Sequence, residues 1–347
     1  MVHSHLNRNI SRVFVGRQQE LAEFSAALDD AMSGQGRLAM LAGEPGIGKT
    51  RTAQELAMMA EGRGTQVHWG RCYEELGTPP YWAWVQTMRS YIEQASTEQL
   101  AADMGRGASY IAEIVPEIRG KLQELTTPPS LEPEQARFRL FDSITTFLKN
   151  AAQRQPLMLV LDDLHWADQS SLLLLEFVAR EIETSRILLV GAYRDVEVSR
   201  RHPLSQTLGA LVREKLFYRV QLQGLTQQEV TEFVQGNVGI TLTPEAAGVM
   251  HERTDGNPFF ISELTRQVPS ENITEDPEWA SIIPKGVRDG IDGQRTQSRR
   301  DCFVRPFRLS HSWDERRDAQ GVGSRGPGFP RRRQYPGQLR LCSGRDG

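Results

Sequence analysis

An apolar run followed directly by a glycine-rich turn constrains this chain more than any other feature of its sequence. Residues 38–42 have the composition of a buried strand, residues 43–50 read GEPGIGKT, and a helix-compatible segment follows over residues 51–60. This is the G-x-x-x-x-G-K-[ST] pattern in the strand, loop and helix setting that a phosphate-binding loop requires. Glycines let the backbone N–H groups turn inward, and the helix start adds the positive end of its dipole. The sequence therefore predicts that the chain binds a nucleoside triphosphate.

The residue types in this loop predict distinct chemical roles. Lys49 is expected to reach the β- and γ-phosphates as a mobile point charge, and the Thr50 hydroxyl to ligate Mg²⁺. Arg51, directly after the loop, is expected to contact the nucleotide as well. The nucleotide-binding residues predicted in this segment are Gly43, Glu44, Pro45, Gly46, Ile47, Gly48, Lys49, Thr50 and Arg51.

The composition limits the classes of function. At 347 residues, with 39% hydrophobic and 24% charged residues, the chain is long enough for a substantial globular core. From residue 293 onward, thirteen arginines stand against five acidic residues, so this part carries +8 and the first 292 residues carry −11 of the total −3. An acidic body disfavours sequence-independent binding to nucleic acid.

Cysteine usage and the termini indicate the compartment. Cys72, Cys302 and Cys342 are scattered and form no C-x-x-C pair, so the sequence predicts neither a zinc site nor a disulfide framework. The N-terminus has no apolar core of the kind a signal peptide needs, and the longest apolar runs are too short to span a bilayer. We expect a cytoplasmic protein with no membrane partner.

A second apolar run predicts the acidic half of the site. Residues 157–161 are wholly apolar and end in Asp162 and Asp163, about 110 residues after the phosphate-binding loop. A carboxylate at the carboxyl end of such a strand faces the Mg²⁺ of the bound nucleotide, and the adjacent acid is placed to orient or deprotonate the attacking water. We predict Asp162 as the magnesium-side acid and Asp163 as the water-positioning acid.

Three further polar residues lie near these strand ends, and two of them allow more than one interpretation. Asp168 is expected to cap the helix that follows it. His165 is either a sensor of the γ-phosphate or a histidine satisfied by a local backbone carbonyl. Arg194 follows another apolar run, where it either stabilises γ-phosphate charge or forms a surface ion pair with Asp195.

Strand and helix patterns alternate along the remaining chain. Further strands are predicted at residues 64–70, 186–193 and 218–222, and further helices at residues 134–152, 169–183 and 203–214. The helix over 134–152 is expected to bury a stripe that includes Phe138, Phe141 and Leu148. The alternation predicts an α/β fold, a doubly wound parallel sheet with the nucleotide at the carboxyl ends of the strands.

The part after residue 224 has a different character. Only helical patterns follow, beginning with a capping box formed by Thr226 and Glu229. We therefore predict a P-loop NTPase domain over residues 12–224 and a small helical lid over residues 225–280. Residues 1–11 and the Arg/Gly-rich residues 293–347 are expected to be disordered. The latter stretch also has the composition of a GC-rich gene read out of frame.

Four motifs in a fixed order carry a family resemblance. They are FVGR at residues 14–17, GEPGIGKT at 43–50, LVLDDLHWAD at 159–168 and GNPFF at 256–260. The set resembles the AAA-type ATPase domain of STAND signal-transduction NTPases, over roughly residues 12–292. Such domains occur in large ATP-binding LuxR-type transcriptional regulators and in multidomain bacterial adenylate/guanylate cyclases.

This resemblance implies roles that spacing alone does not. The family members are switches in which ADP holds a closed state and exchange for ATP permits self-association and effector output. By resemblance, Val15, Gly16 and Arg17 would line the adenine and ribose, Pro258 would contact the nucleotide from the lid, and Arg194 would occupy a sensor position after the fourth strand. Residues 281–292 would begin a winged-helix module, the chain then being a truncated fragment of a larger regulator.

Two other functions stay open on the sequence, a P-loop kinase and a DNA-associated AAA+ ATPase resembling origin-recognition loaders. The helical lid follows the sheet rather than interrupting it, which disfavours a kinase. The charge of −11 on the first 292 residues disfavours DNA contact by the folded body. The leading expectation is an ATP-binding, weakly hydrolysing switch that takes ATP/ADP and Mg²⁺.

Overall fold

Five strands and twelve α-helices make up the part of the chain that the structure describes, which is residues 13–74, 77–122, 125–199 and 201–267 of a computed structural model. The strands are β1 Arg37–Gly43, β2 Gln66–Arg71, β3 Leu157–Asp162, β4 Ile187–Arg194 and β5 Phe217–Gln221. The helices are α1 Gln18–Met32, α2 Lys49–Gly62, α3 Trp82–Gln94, α4 Thr97–Met104, α5 Ala108–Ile111, α6 Ile118–Lys121, α7 Pro133–Arg154, α8 Gln169–Glu181, α9 Pro203–Leu211, α10 Gln227–Val238, α11 Pro244–Thr254 and α12 Pro258–Gln267.

The strands form one parallel sheet in the order β2-β3-β4-β1-β5. β4 lies between β1 and β3, and its register places Arg194 opposite Gly43. On the other side of β3, Arg71 at the end of β2 lies opposite Asp162. Since all strands run the same way, their carboxyl ends meet at one edge of the sheet. The phosphate-binding loop after β1 and the acidic residues at the end of β3 therefore lie at the same edge.

Alternating side chains divide the sheet into two cores. In β1, Leu38 and Met40 belong to the cluster packed under α3, α7 and α8, whereas Ala39 and Leu41 belong to the cluster under α1 and α2. β3 and β4 alternate in the same way, and every residue of β3 is buried. Helices therefore cover both faces of the sheet, and the predicted doubly wound parallel fold is confirmed.

The lid helices have an apolar cluster of their own. Val230 and Val234 of α10, Met250 of α11 and Ile261 of α12 pack with Leu225, away from the two clusters of the sheet. α10 begins with the predicted capping box, in which the Thr226 hydroxyl accepts from the Glu229 N–H and the Glu229 carboxylate accepts from the Thr226 N–H. This helical group is thus a second packed layer beside the sheet rather than an extension of it.

Most predicted elements agree with the structure to within three residues at each end. One expectation is wrong: Phe138 lies on the predicted apolar stripe of α7 but is 55% exposed, because it lines an open cavity between α7 and α8, with its ring 5.8 Å from that of Phe177. The short helices α4, α5 and α6 were not predicted, since four to eight residues give too few turns for a periodic pattern.

Several expectations lie outside the described residues. These are the disordered N-terminus at residues 1–11, the end of the lid after residue 267, the module start at residues 281–292 and the tail at residues 293–347. Within the described residues, no helix is long and apolar enough to cross a bilayer.

Two phenylalanines of α7 test the assignment of the core. Phe147 is fully buried with its ring 5.2 Å from that of Tyr91, so Phe147→Ala should lower the free energy of unfolding by about 3–5 kcal/mol. Phe138→Ala, on the same helix, removes an exposed ring and should lower it by about 1 kcal/mol or less. Chemical denaturation of both variants measures the difference, and equal losses would contradict this packing.

Candidate functional site

The phosphate-binding loop connects β1 to α2 at the carboxyl edge of the sheet. α2 begins at Lys49, and its N-cap residue Gly48 has φ 104°, a left-handed conformation that strongly favours glycine. The Lys49 ammonium is buried and donates to the carbonyls of Gly43 and Glu44 at 2.9 and 2.8 Å. An ammonium carries three donors, and two of them are used within the loop. The lysine predicted to bind phosphate therefore lies inside its own loop.

Burial changes the proton affinity of this lysine. The pKa of Lys49 is lowered to about 8, chiefly because burial disfavours the ammonium and also because the Arg194 guanidinium lies nearby. Asp162 and Asp163 act in the opposite direction. An anion that approached the ammonium would offset its loss of hydration, which is the property expected of a phosphate-binding lysine.

A single hydrogen bond joins the loop to the acidic strand. The Thr50 hydroxyl donates to Asp162 Oδ2 at 2.9 Å, across 112 positions of sequence. Burial and the neighbouring Asp163 carboxylate raise the pKa of Asp162. Two oxygen ligands from hydroxyl and carboxylate are typical of a Mg²⁺ site that takes its other ligands from phosphate and water. No group of three or more His, Cys, Asp or Glu side chains suited to a metal occurs among the described residues.

Asp163 does not face the loop freely, because Arg71 holds its carboxylate. Arg71 Nε and Nη2 both donate to Asp163 Oδ2, at 2.8 and 2.7 Å. Asp163 has φ 57°, an uncommon left-handed conformation for a non-glycine residue, and its backbone N–H donates to Asp162 Oδ1 at 3.0 Å. The ion pair joins the ends of β2 and β3. Arg71 was not singled out in the sequence, since its role depends on the strand order.

The loop after β3 contacts the end of β4. His165 Nε2 lies 3.9 Å from Asp163 Oδ1 and 3.6 Å from Glu197 Oε2, and neither ring nitrogen of this buried histidine has a hydrogen-bond partner among the residues that the structure describes. The carbonyl-satisfied alternative for His165 is therefore wrong. Burial, with the nearby Arg194, lowers the pKa of His165 to about 3, so the ring is neutral. Its ring lies 4.5 Å from that of Trp166.

Arg194 is paired, but not with the residue the sequence suggested. Its Nη1 donates to Glu197 at 2.8 Å, and its guanidinium lies 4.8 Å from the centre of the Trp166 ring. Asp195 instead accepts from Gln221 at 2.7 Å. The Arg194–Asp195 alternative is thus wrong, because the 3₁₀ turn after β4 brings Glu197 back beside the arginine.

The segment before α1 forms one wall of a pocket next to the loop. Arg17 is buried with φ 69°, and its Nη2 donates to the Ile47 carbonyl at 3.1 Å while Nη1 pairs with Glu20 at 3.1 Å. Gly16 is buried and Val15 half-buried directly before it. Arg17 therefore supports the loop backbone with one edge of its guanidinium.

Arg51 carries unsatisfied donors at this wall. Its guanidinium lies 5.2 Å from the centre of the Phe14 ring and forms an ion pair with Glu55. Arg51 Nε and Nη1 are buried and have no hydrogen-bond partner within the described residues. Buried donors without acceptors are uncommon in native proteins, and they fit a site that receives a polar ligand.

A cavity of about 260 Å³ lies between this wall, the loop and the lid. Of the predicted nucleotide-binding residues, the cavity is lined by Val15, Arg17, Gly46, Ile47, Gly48, Arg51 and Pro258. Phe14, Phe233 and Phe259 add an aromatic lining. The volume is near the lower end of ligand pockets. The other predicted nucleotide-binding residues do not line it, namely Gly16, Gly43, Glu44, Pro45, Lys49 and Thr50.

A second, larger cavity of about 330 Å³ lies between α7 and α8. Phe138, Phe141 and Phe177 line it, with Arg and Glu side chains around the rim. No residue of the phosphate-binding loop or of the acidic strand lines this cavity. Several predicted nucleotide-contacting residues line the smaller cavity, whereas Lys49, Thr50, Asp162, Asp163 and Arg194 line neither cavity.

The ion pair between Arg71 and Asp163 can be measured by a double-mutant cycle on the free energy of unfolding. Because Asp163 is buried and Arg71 half-exposed, Arg71→Ala, Asp163→Ala and the double variant should give a coupling of about 1–2 kcal/mol. Arg63 and Asp29, a more exposed pair at the same 2.7 Å, serve as the control and should couple by less than about 1 kcal/mol. Equal couplings for the two pairs would contradict the special burial of Asp163.

Comparisons with known proteins place these features in a family. The family model described as AAA ATPase domain matches residues 13–190, just over half of the chain. An uncharacterized protein of Rhizobium meliloti (strain 1021) is 22% identical over 278 residues, which are 76% of this chain and 26% of that protein. The chain thus spans about a quarter of the length of this relative.

Solved structures were compared as well. A RuvB variant from Thermotoga maritima is 19% identical with a TM-score of 0.38, covering 73% of this chain and 61% of that one. The ORC1 protein of Aeropyrum pernix in complex with DNA is 17% identical with a TM-score of 0.41, covering 84% of this chain and 69% of that one. A STAND protein with a tetratricopeptide repeat sensor from Pyrococcus horikoshii is 17% identical with a TM-score of 0.40, covering 72% of this chain and 29% of that one.

The match over residues 13–190 includes the phosphate-binding loop, the acidic strand and the hydrogen bond between Thr50 and Asp162. Those are the parts of the chain on which binding of a nucleoside triphosphate would depend. The chain belongs to the AAA ATPase domain family.

Proposed function

We propose that this chain is an ATP-binding domain that hydrolyses ATP slowly and acts as an ATP/ADP switch in a bacterial regulator. The observation that carries the proposal is the 2.9 Å hydrogen bond from the Thr50 hydroxyl to Asp162 Oδ2. This bond brings the end of the phosphate-binding loop and the end of the acidic strand together. Binding of a triphosphate with its metal ion requires both of them at the same place. Neither motif alone would support a nucleotide site as specifically.

Lys49 and the loop backbone bind the polyphosphate. The ammonium now donates to the carbonyls of Gly43 and Glu44, and phosphate oxygens are stronger acceptors because they are charged. Binding then exchanges neutral acceptors for charged ones at nearly the same place. The positive end of the α2 dipole, which begins at Lys49, adds to this attraction.

Thr50 and Asp162 are the side chains that hold Mg²⁺. When bound, this ion neutralises part of the charge on the phosphates. Asp162 fits the role because burial and the Asp163 carboxylate raise its pKa, and a cation beside it would relieve the cost of keeping it ionised. Thr50 contributes a hydroxyl oxygen already within hydrogen-bond distance of that carboxylate.

Asp163 is the acid that orients or deprotonates the attacking water, and its ion pair with Arg71 accounts for a low rate of hydrolysis. Asp163 Oδ2 accepts two N–H groups of Arg71, so this oxygen is not available to a water molecule in the same arrangement. Oδ1 remains, facing the neutral His165 ring at 3.9 Å. Hydrolysis through Asp163 is thus restricted to one oxygen or requires the ion pair to move. Arg194, held by Glu197 at the same edge, contributes positive charge towards the γ-phosphate.

The cavity beside the loop receives the adenine and ribose. Val15 and Pro258 line it from opposite sides, and aromatic residues add surface on which a base packs. Arg51 presents two buried donors without acceptors to this region. Arg17 completes the N-terminal wall, and Gly16 lies directly before it without lining the cavity.

The switch role rests on the set of four motifs and on the lid. STAND domains combine a phosphate-binding loop of this kind with a helical lid, and self-association on ATP binding belongs to the same proposal. The acidic charge of the first 292 residues gives DNA no attraction to the folded body.

Two substitutions separate binding from hydrolysis. Lys49→Ala removes the buried ammonium and should weaken ATP retention about 100-fold, the loss expected for a charge-assisted hydrogen bond of about 3 kcal/mol. Asp163→Ala should retain ATP within a few-fold and lose hydrolysis by at least about 100-fold. Equilibrium binding and phosphate release measure the two properties.

Lys149→Ala is the matched control, since this lysine lies on α7 with its ammonium 3.9 Å from Glu181. It should change neither property. If Lys49→Ala and Asp163→Ala both hydrolyse ATP like the parent protein, the assignment of the site is wrong.

The lowered pKa of Lys49 makes nucleotide binding depend on pH. At pH 7 the lysine is already protonated, whereas at pH 9, above its pKa of about 8, most free protein has neutral Lys49. Phosphate favours the ammonium and raises this pKa, so binding at pH 9 should take up close to one proton that binding at pH 7 does not.

Calorimetry in buffers of different ionisation enthalpy counts these protons. Lys49→Arg serves as the control, because a guanidinium stays charged at both pH values. This substitution should therefore remove the extra proton uptake at pH 9. The same proton count at pH 7 and pH 9 for the parent protein would contradict the role of Lys49.

A further inference from the structure

Asn257 joins the helical lid to the phosphate-binding loop. Its side chain lies directly before α12, is 2% exposed, and donates through Nδ2 to the Pro45 carbonyl at 3.0 Å. This bond spans 212 positions of sequence. The amide oxygen of the same side chain accepts from the Phe259 N–H at 3.1 Å, which caps the start of α12. One side chain thus serves the lid with its oxygen and the loop with its nitrogen.

The loop and the lid are in close contact at this point. Gly46 has φ +78°, and a Cβ placed on it would lie 2.6 Å from Phe259 Cβ and 3.0 Å from Asn257 Oδ1. Only a glycine leaves room for the lid at this distance. The Asn257 hydrogen bond therefore lies where two lid side chains approach the loop backbone closely, and it is partly buried.

The contact forms part of the wall around the nucleotide cavity. Gly46 and Ile47 line the cavity from the loop side, and Pro258 and Phe259 line it from the lid side. A nucleotide held between them leaves when these two sides separate. Separation breaks the bond from Asn257 to Pro45, because its donor and acceptor lie on opposite sides.

We propose that Asn257 is a positioning residue that ties the phosphate-binding loop to the lid and thereby slows nucleotide release. This inference rests on the proposed function of the loop as a nucleotide site. Asn257 acts through the position of the lid and does not take part in hydrolysis.

Asn257→Ser isolates the contact to the loop. Serine is a good helix N-cap, so its hydroxyl keeps the capping role at α12, but it is too short to reach the Pro45 carbonyl. Asn150→Ser is the matched control, because Asn150 Nδ2 also donates to a distant backbone carbonyl, that of Asp103, at 3.0 Å and away from the cavity. Both variants lose one amide-to-carbonyl hydrogen bond.

The first measurement uses no nucleotide. Hydrogen exchange of peptides covering residues 43–48 reports how often the loop separates from the lid. Asn257→Ser should speed this exchange about fivefold, equivalent to about 1 kcal/mol, the usual net contribution of one hydrogen bond. Asn150→Ser should leave it unchanged. Equal exchange of this loop in Asn257→Ser and the parent protein would overturn the proposal.

The second measurement follows release of a fluorescent ADP chased with excess unlabelled ADP. Asn257→Ser should release it about fivefold faster while its association rate changes less than about twofold, and Asn150→Ser should match the parent protein. Release at the parent rate from Asn257→Ser also overturns the proposal. If the parent protein binds no ADP while the exchange result holds, the tie between loop and lid stands and the proposed function fails.

Discussion

The hydrogen bond between the Thr50 hydroxyl and the Asp162 carboxylate determines how the rest of this site is arranged. It forms because β1 and β3 end at the same edge of the sheet with β4 between them, which leaves the first turn of α2 above the end of β3. The two cores on either side of the sheet hold these strands in place. The position of the site thus follows from the alternating burial of ordinary apolar side chains.

Charge at this edge is balanced among buried groups, such as Lys49 and Asp162, and more exposed ones, such as Arg71 and Glu197. Three cations, Lys49, Arg71 and Arg194, lie among three acids, Asp162, Asp163 and Glu197. The pKa of Lys49 is lowered and that of Asp162 is raised, and both shifts favour the neutral form of the side chain. An anion that binds together with its cation should interact strongly with this cluster, because the added charges take the place of the hydration that the buried side chains have lost. Under the proposed function, tight retention and slow turnover are compatible, since Lys49 and the loop would bind phosphate while Arg71 immobilises Asp163.

The strands and the phosphate-binding loop could be predicted because each depends on a local pattern, and the approach of Thr50 to Asp162 follows from two such patterns in one parallel sheet. The contact of Arg71 with Asp163 could not be predicted from such patterns, because it forms only when β2 pairs with β3. The order of strands in a sheet is not a local property of the sequence. Phe138 was placed in the core because helical periodicity defines a stripe but not which part a neighbour covers. Asn257 was part of a recognised motif, yet its contact with Pro45 depends on how the lid packs.

Titration calorimetry of the folded protein with ADP, with and without Mg²⁺, tests the central claim most directly. A curled loop, a buried ammonium and a hydroxyl–carboxylate pair should bind one ADP per chain, more tightly when Mg²⁺ is present, and Asp162→Ala should remove the effect of Mg²⁺ but not all ADP binding. Absence of any ADP binding by protein with native circular dichroism would contradict the account.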